Sequence, residues 1–339
     1  APPKAFVELL FNSDPTRAAL PRIASYANRP VFDQDFRFLG PGWHSNAGVM
    51  VHGPDVEPVM PPLVEAERAL CRLPCHLSRL LERFCFVANA DVANTIGALV
   101  TGVLPTHFRQ LGKPLILLDG NQPGVGKTLL ARTFGVVLDG EDPRTIAFSA
   151  DEEELNKRTC AILRGQPQSV LVFDNAKLTS GRPISSPFIE SNSMAANVTL
   201  RILGQSLNID RPNDMLWAIT MNNTKTSPDL VSRGLHIRLK YEGRPEDRDF
   251  GDSNPIEYAM EHRAEILGEL AGMVIRWNQA GRPMGDHCHR CRQWAGIIGG
   301  ILQANGLPEF LTNLDEAAGE FNTELDELAA LAEAAIKLN

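Results

Sequence analysis

The stretch KPLILLDGNQPGVGKTLLARTFGVVL, residues 113–138, constrains the fold more than any other. Leu115–Leu118 is an uninterrupted apolar run, the pattern of a strand covered on both faces. A helical pattern begins at Lys127. Between them lies a glycine-rich turn, and strand–turn–helix is the context a phosphate-binding loop requires. One residue departs from the strict pattern: Asn121 stands where glycine is usual, and Gly120 comes one position early. Asparagine tolerates left-handed backbone angles better than most residues, so the loop can still turn. Gly124 and Gly126 free backbone N–H groups to point at phosphate oxygens, and the helix start adds its positive end. Lys127 is expected to reach the β- and γ-phosphates, and Thr128 to hold Mg2+. The predicted cradle runs Asn121, Gln122, Pro123, Gly124, Val125, Gly126, Lys127, Thr128 and Leu129.

The flanking sequence repeats the alternation. RTIAFSA, SVLVFD and MLWAITMN read as strands, and KTLLARTFGVVL and EEELNKRTCAILRG as helices. Strands alternating with helices predict a parallel sheet covered on both faces, an α/β fold. Residues 1–60, rich in Pro and Gly, read as a small β-rich unit, with VMPP at 59–62 as a linker. Residues 61–110 read as a helical segment in which Pro74 kinks the run from Leu63 to Phe84. The nucleotide core is expected over 111–250 and a helical region over 251–339, with helices at 255–278, 290–304 and 312–337.

Three strand ends then stand at telling intervals. Asp174 lies 47 residues after Lys127, Asn222 another 48 on, and Arg233 another 11 on. Ends of parallel strands share the side of the sheet where ligands bind. With "LVFDNAK", "ITMNN" and "SPDLVSRGLHIRL", this pattern resembles the AAA+ ATPases, and among them the superfamily 3 helicases of viruses, phages and integrative elements. The resemblance carries specific motifs over about 115–245. It implies an AAA+ P-loop NTPase that hydrolyses ATP with Mg2+. Lys127 and Thr128 become phosphate and metal residues, Asp174 the magnesium-side acid, and Asn222 a γ-phosphate sensor. Arg233 becomes an arginine finger on ATP held by a neighbouring subunit. It further implies a homo-oligomeric ring, a hexamer, that unwinds or translocates on single-stranded or forked DNA. Replication of a mobile element or virus is the implied setting, with a primase or origin-binding protein as partner. The competing readings are an ATP-driven switch or loader, and a protein-remodelling ATPase without unwinding.

The residue after Asp174 is Asn175, which cannot accept a proton at neutral pH. A carboxylate base must come from elsewhere, and SADEEELNKR follows the neighbouring strand. Glu154 is the first choice there and Glu153 the second, although acids in a first helical turn also serve the helix dipole. On the DNA side, NVTLRILGQSLNID reads as a hairpin turning at Gly204–Ser206. Lys177, Arg182, Arg201 and Gln205 are the candidate phosphate-backbone contacts; the alternatives are a nucleotide or subunit contact for Arg201 and ordinary loop charges for Lys177 and Arg182.

Bulk properties add little against this. The net charge is −8, of which −6 falls in residues 310–339, so the rest is near neutral and excludes no partner class. No apolar run approaches the roughly 18 residues of a membrane span, so no membrane is expected. Six scattered cysteines predict reduced thiols in a cytoplasmic (nucleoid or host-cell) setting. The cluster DHCHRCRQW, with no second ligand pair near, is read as something other than a zinc site. Trp277 and Trp294 are read as packing residues.

Overall fold

A computed structural model describes residues 2–20, 23–165, 168–177, 183–202, 208–222, 226–245 and 254–314, and the Arg17 side chain is left aside. Two short helices, α1 (Lys4–Asn12) and α2 (Asp14–Ala19), come first. The β unit follows with β1 (Ser25–Ala27), β2 (Val31–Phe32), β3 (Phe38–Leu39), β4 (Gly42–His44) and β5 (Val49–Val51). Helices α3 (Ala69–Arg72), α4 (Cys75–Leu81) and α5 (Asn89–Val103) lead into the core. There the order is β6 (Leu115–Gly120), α6 (Lys127–Asp139), β7 (Thr145–Ala147), α7 (Glu152–Gly165) and β8 (Val170–Ala176). Next come α8 (Pro187–Met194), β9 (Asn197–Arg201), β10 (Asn208–Pro212), β11 (Leu216–Met221), α9 (Pro228–Arg233) and β12 (Gly234–Leu239). The helices α10 (Pro255–Glu261), α11 (Arg263–Gln279) and α12 (Arg292–Ala304) close the described chain.

The core sheet has five parallel strands in the order β12-β6-β11-β8-β7. Its central strands β6, β11 and β8 are largely continuous apolar runs because both faces are covered. Ile116, Leu118, Val170, Val172, Leu216 and Ala218 join one cluster with the residues of α5, α6, α11 and α12. Leu115, Leu117, Leu171, Phe173, Trp217 and Ile219 join the other, with α7, α8 and α9. This is the predicted α/β P-loop architecture with a small β unit ahead of it. Strand β12 is an addition: GLHIRL alternates apolar with charged or polar residues and is easily taken for loop. It pairs with β6 from Gly234↔Leu115 to Leu239↔Gly120.

Other expectations change in detail. Residues 4–19 form helices where a β unit alone was expected. Pro74 separates α3 from α4, since its ring and missing N–H end one helix before the next begins. The helix expected over 255–278 is two, broken at His262, whose φ/ψ of −108°/27° leaves the α region. Trp277 and Trp294 are fully buried, as packing residues are. Most of the expected 312–337 helix lies outside the described residues.

The β unit is anchored by Arg29, 2% exposed. Its guanidinium donates to Gly102 O at the end of α5 and to Ser169 Oγ before β8, with Asp139 beside it. A buried arginine requires this many partners. Burial lowers its pKa from the usual arginine value, while Asp139 and Asp214 oppose the shift.

Candidate functional site

The glycine-rich loop leaves the end of β6 and enters α6 through Gly126, whose φ of +104° makes it a left-handed N-cap. Gly124 has φ +82°. Few residues other than glycine adopt such angles, and they turn successive N–H groups toward one point above the helix start. A Cβ on Gly120 would stand 2.6 Å from Val125 Cγ2 and 3.0 Å from Lys127 Nζ, so the floor of the cradle has no room for a side chain.

Asn121 does not turn left-handed; its φ is negative. Its side chain supplies a different service. Asn121 Nδ2 donates to Tyr241 O at 2.8 Å, and Tyr241 N donates to Asn121 Oδ1 at 3.2 Å. Gln122 Nε2 adds bonds to Tyr241 O and Gly243 O. Both amides thus tie the loop to the segment after β12, a function glycine cannot perform. Pro245 sits over Gly124.

Lys127 is 6% exposed and donates from Nζ to Gln122 O at 2.9 Å. Burial lowers its pKa, with Asp119 and Asp174 opposing, so its charge is held among carboxylates beside the loop. Thr128 Oγ1 donates to Asp174 Oδ1 at 2.6 Å. The sequence singles out both as magnesium-side residues, and the structure brings their side chains into contact. Among the described residues no group of three or more His, Cys, Asp or Glu could hold a metal. A hydroxyl and one carboxylate still suit Mg2+, which takes one or two carboxylates and fills its octahedron with phosphate and water.

One partner was missed. Thr220, 2% exposed on β11, donates from Oγ1 to the same Asp174 Oδ1 at 2.6 Å. It also accepts from Asn175 N at 2.9 Å. Period-two alternation was the available signal, because Thr220 shares a strand face with the Asn222 that was singled out. Asn222 itself directly follows β11, half-buried at the same edge of the sheet.

Helix α7 starts at that edge too: Ala147 pairs with Asp174, and Phe148 N donates to Asp174 O. Glu154 pairs with Arg158 at 2.9 Å and Glu153 with Lys157 at 3.8 Å, both on their own helix. Asp151 Oδ1 caps their N–H groups. Glu152, not singled out from sequence, caps α8 by accepting from Phe188 N at 2.7 Å.

Arg233 lies at the other edge. It precedes Gly234, which pairs with the first residue of β6, whereas the loop leaves the last. Five strand steps put about 17 Å between these levels. Its guanidinium bonds Asp229 at 2.7 Å and Glu190 O at 3.1 Å. Arg290 shares Asp229 at 2.7 Å.

The expected hairpin exists as β9 and β10, paired antiparallel from Asn197↔Pro212 to Arg201↔Asn208. Arg201 and Lys177 are exposed. Arg182 and Gln205, with the hairpin tip, lie outside the described residues. Arg211 is half-buried, its pKa lowered by burial against the attraction of Asp214 and Asp139. It lines a cavity of about 340 Å³ with Arg29 and Ser169 at the start of β8.

No protein-family model and no curated protein matches the chain. Among solved structures it is similar to the apo C-terminal region (305–718) of NrS-1, at 12% identity and a TM-score of 0.41. That match covers 64% of this chain and 47% of the other, so the chain spans about half the length of that structure. JCV helicase is similar at 17% identity and a TM-score of 0.29, over 71% of this chain and 73% of the other. No residue role passes from either to this chain. Among the described residues no helix is long and apolar enough to cross a membrane.

Proposed function

We propose that the chain is an ATP hydrolase of superfamily 3 helicase type, working as a ring of identical subunits on DNA during mobile-element or viral replication. The observation that carries the nucleotide reading is the 2.6 Å contact of Thr128 with Asp174 beneath a loop of two left-handed glycines. A hydroxyl held against a strand-end carboxylate, at a helix start that attracts anions, is an arrangement suited to Mg·ATP. Thr128 and Asp174 would hold Mg2+ there, and the ion would supply positive charge against the charge that develops during transfer. Lys127 would exchange Gln122 O for the β- and γ-phosphates. Asn222 would sense the γ-phosphate, and Glu154 or Glu153, released from Arg158 or Lys157 respectively, would accept the proton of the attacking water. Arg233 would complete the site of the adjoining subunit.

The pairing of both glutamates with bases on α7 also favours the switch or loader reading, in which nucleotide binds and turns over slowly. ATP turnover measured with and without single-stranded DNA separates the two. A helicase is expected to hydrolyse several-fold faster with DNA and to open a forked duplex. Lys127→Ala is expected to lose at least 100-fold of turnover, since it removes a charge made for the transition state. Wild-type turnover in Lys127→Ala would overturn the nucleotide reading. Turnover indifferent to DNA would overturn the helicase reading.

A further inference from the structure

Strand β8 carries one residue too many for its neighbour. Phe173 pairs with Ile219 and Ala176 with Met221, so Asp174 and Asn175 together oppose the single Thr220. This is a β-bulge, and bulges beside functional sites re-aim a side chain. Asn175 takes the strained position, with φ +62°. Its N–H is turned out of the ladder and is received by Thr220 Oγ1 at 2.9 Å. The same hydroxyl passes its own proton to Asp174 Oδ1 at 2.6 Å. Both hydrogen-bonding capacities of a buried group are therefore used, as burial demands.

Asp174 Oδ1 has two hydroxyl donors, Thr128 and Thr220, each at 2.6 Å. They are not equivalent. Thr128 belongs to the loop and helix that receive the ligand, so its hydroxyl oxygen is needed by the metal once nucleotide arrives. Thr220 is fixed in the middle strand of the sheet and needs no rearrangement. We propose that Thr220 is a positioning residue: it holds the Asp174 carboxylate in its metal-ready orientation through the bulge when Thr128 is drawn away. This rests on the reading of Thr128 and Asp174 as the magnesium site. It adds a residue from the neighbouring strand whose hydroxyl touches neither metal nor nucleotide. Partners that orient a metal ligand commonly cost 10–100-fold in metal affinity or activity when removed.

The test is a Mg2+ titration of fluorescent ATP-analogue binding and of ATP turnover, in wild type, Thr220→Val, Thr220→Ser and Asp174→Ala. Thr220→Val keeps shape and removes the hydroxyl, and Thr220→Ser restores it. The expected result is a rise of about 10-fold in the Mg2+ concentration for half-saturation in Thr220→Val, with Thr220→Ser within about threefold of wild type. Affinity for nucleotide without Mg2+ is expected to stay unchanged. If Thr220→Val does not fold, Thr220→Ala serves, since a smaller side chain makes no clash. An unchanged half-saturation in a folded variant, with or without a lower melting temperature, makes Thr220 merely structural and overturns the proposal. A wild type whose nucleotide binding ignores Mg2+, or an Asp174→Ala that keeps full Mg2+ dependence, overturns the magnesium site itself.

Discussion

Asn175 combines φ +62°, an exposed side chain, and a backbone N–H spent on Thr220. Read as a sequence, its place after Asp174 poses a question about a missing base. Read as a conformation, it marks the residue that lets β8 bulge. Asparagine and glycine accept left-handed angles, whereas β-branched residues do not. Asn175→Val is therefore expected to cost about 1–3 kcal/mol of unfolding free energy, and Asn175→Gly well under 1 kcal/mol. Denaturant midpoints with unchanged slopes would measure both. A valine variant as stable as wild type would mean that the backbone there is not held left-handed. The same residue shows what was legible at this scale. Lys127, Thr128 and Asp174 could be singled out because charged and hydroxylic types at such intervals suggest a phosphate site. Thr220 was not, because threonine inside an apolar strand first reads as a good strand former. The bonds of the Asn121 side chain to Tyr241 were not foreseen, since they cannot be inferred before β12 is placed beside β6.

At the scale of elements, periodicity worked where each element was long and apolar. It placed β6, α6, α7, β8 and β11, each within a few residues. It failed where identity depends on a distant partner. GLHIRL is a strand because β6 offers a free edge, and VMPP is no mere linker because α11 offers a groove. Residues 57–60 lie along α11 where Gly268 and Gly272 leave no side chains. Val59 N donates to Gly268 O, and a Cβ on Gly268 would stand 2.5 Å from Glu57 O. A Cβ on Gly272 would meet Val59 O still more closely. Two effects oppose in Gly272→Ala. Alanine favours the helix by roughly 1 kcal/mol, but contact with backbone leaves the strap nothing soft to yield. Overpacking should win, with a net loss of about 1–3 kcal/mol read from urea unfolding. A more stable alanine variant would mean that the strap does not sit in that groove.

At the scale of the whole molecule, the candidate site residues fall at two ends of the sheet, and these face opposite ways. The cradle with Asp174 and Asn222 stands at the strand ends, while Arg233 stands at the start of β12, about 17 Å lower by strand rise. An arginine side chain cannot span that interval within one subunit. If Arg233 acts on nucleotide, a second copy must bring its own cradle to it, and head-to-tail contact of that kind gives a ring when its rotation closes and a filament when it does not. Asp229, held by both Arg233 and Arg290, would keep the guanidinium oriented at such a seam. The consequence is a complementation that a single-subunit site cannot give. Lys127→Ala and Arg233→Ala should each be nearly inactive alone. Mixed in equal amounts under conditions that allow subunit exchange, they should recover activity. A seam formed by the intact cradle of an Arg233→Ala chain and the intact arginine of a Lys127→Ala chain is competent, and random pairing makes about a quarter of seams so. Specific activity of wild type should also fall on dilution, as assembly is lost by mass action. ATP turnover of the mixture no greater than the sum of its parts, together with dilution-independent wild-type activity, would place every catalytic group within one chain and leave Arg233 a brace between α8 and α9.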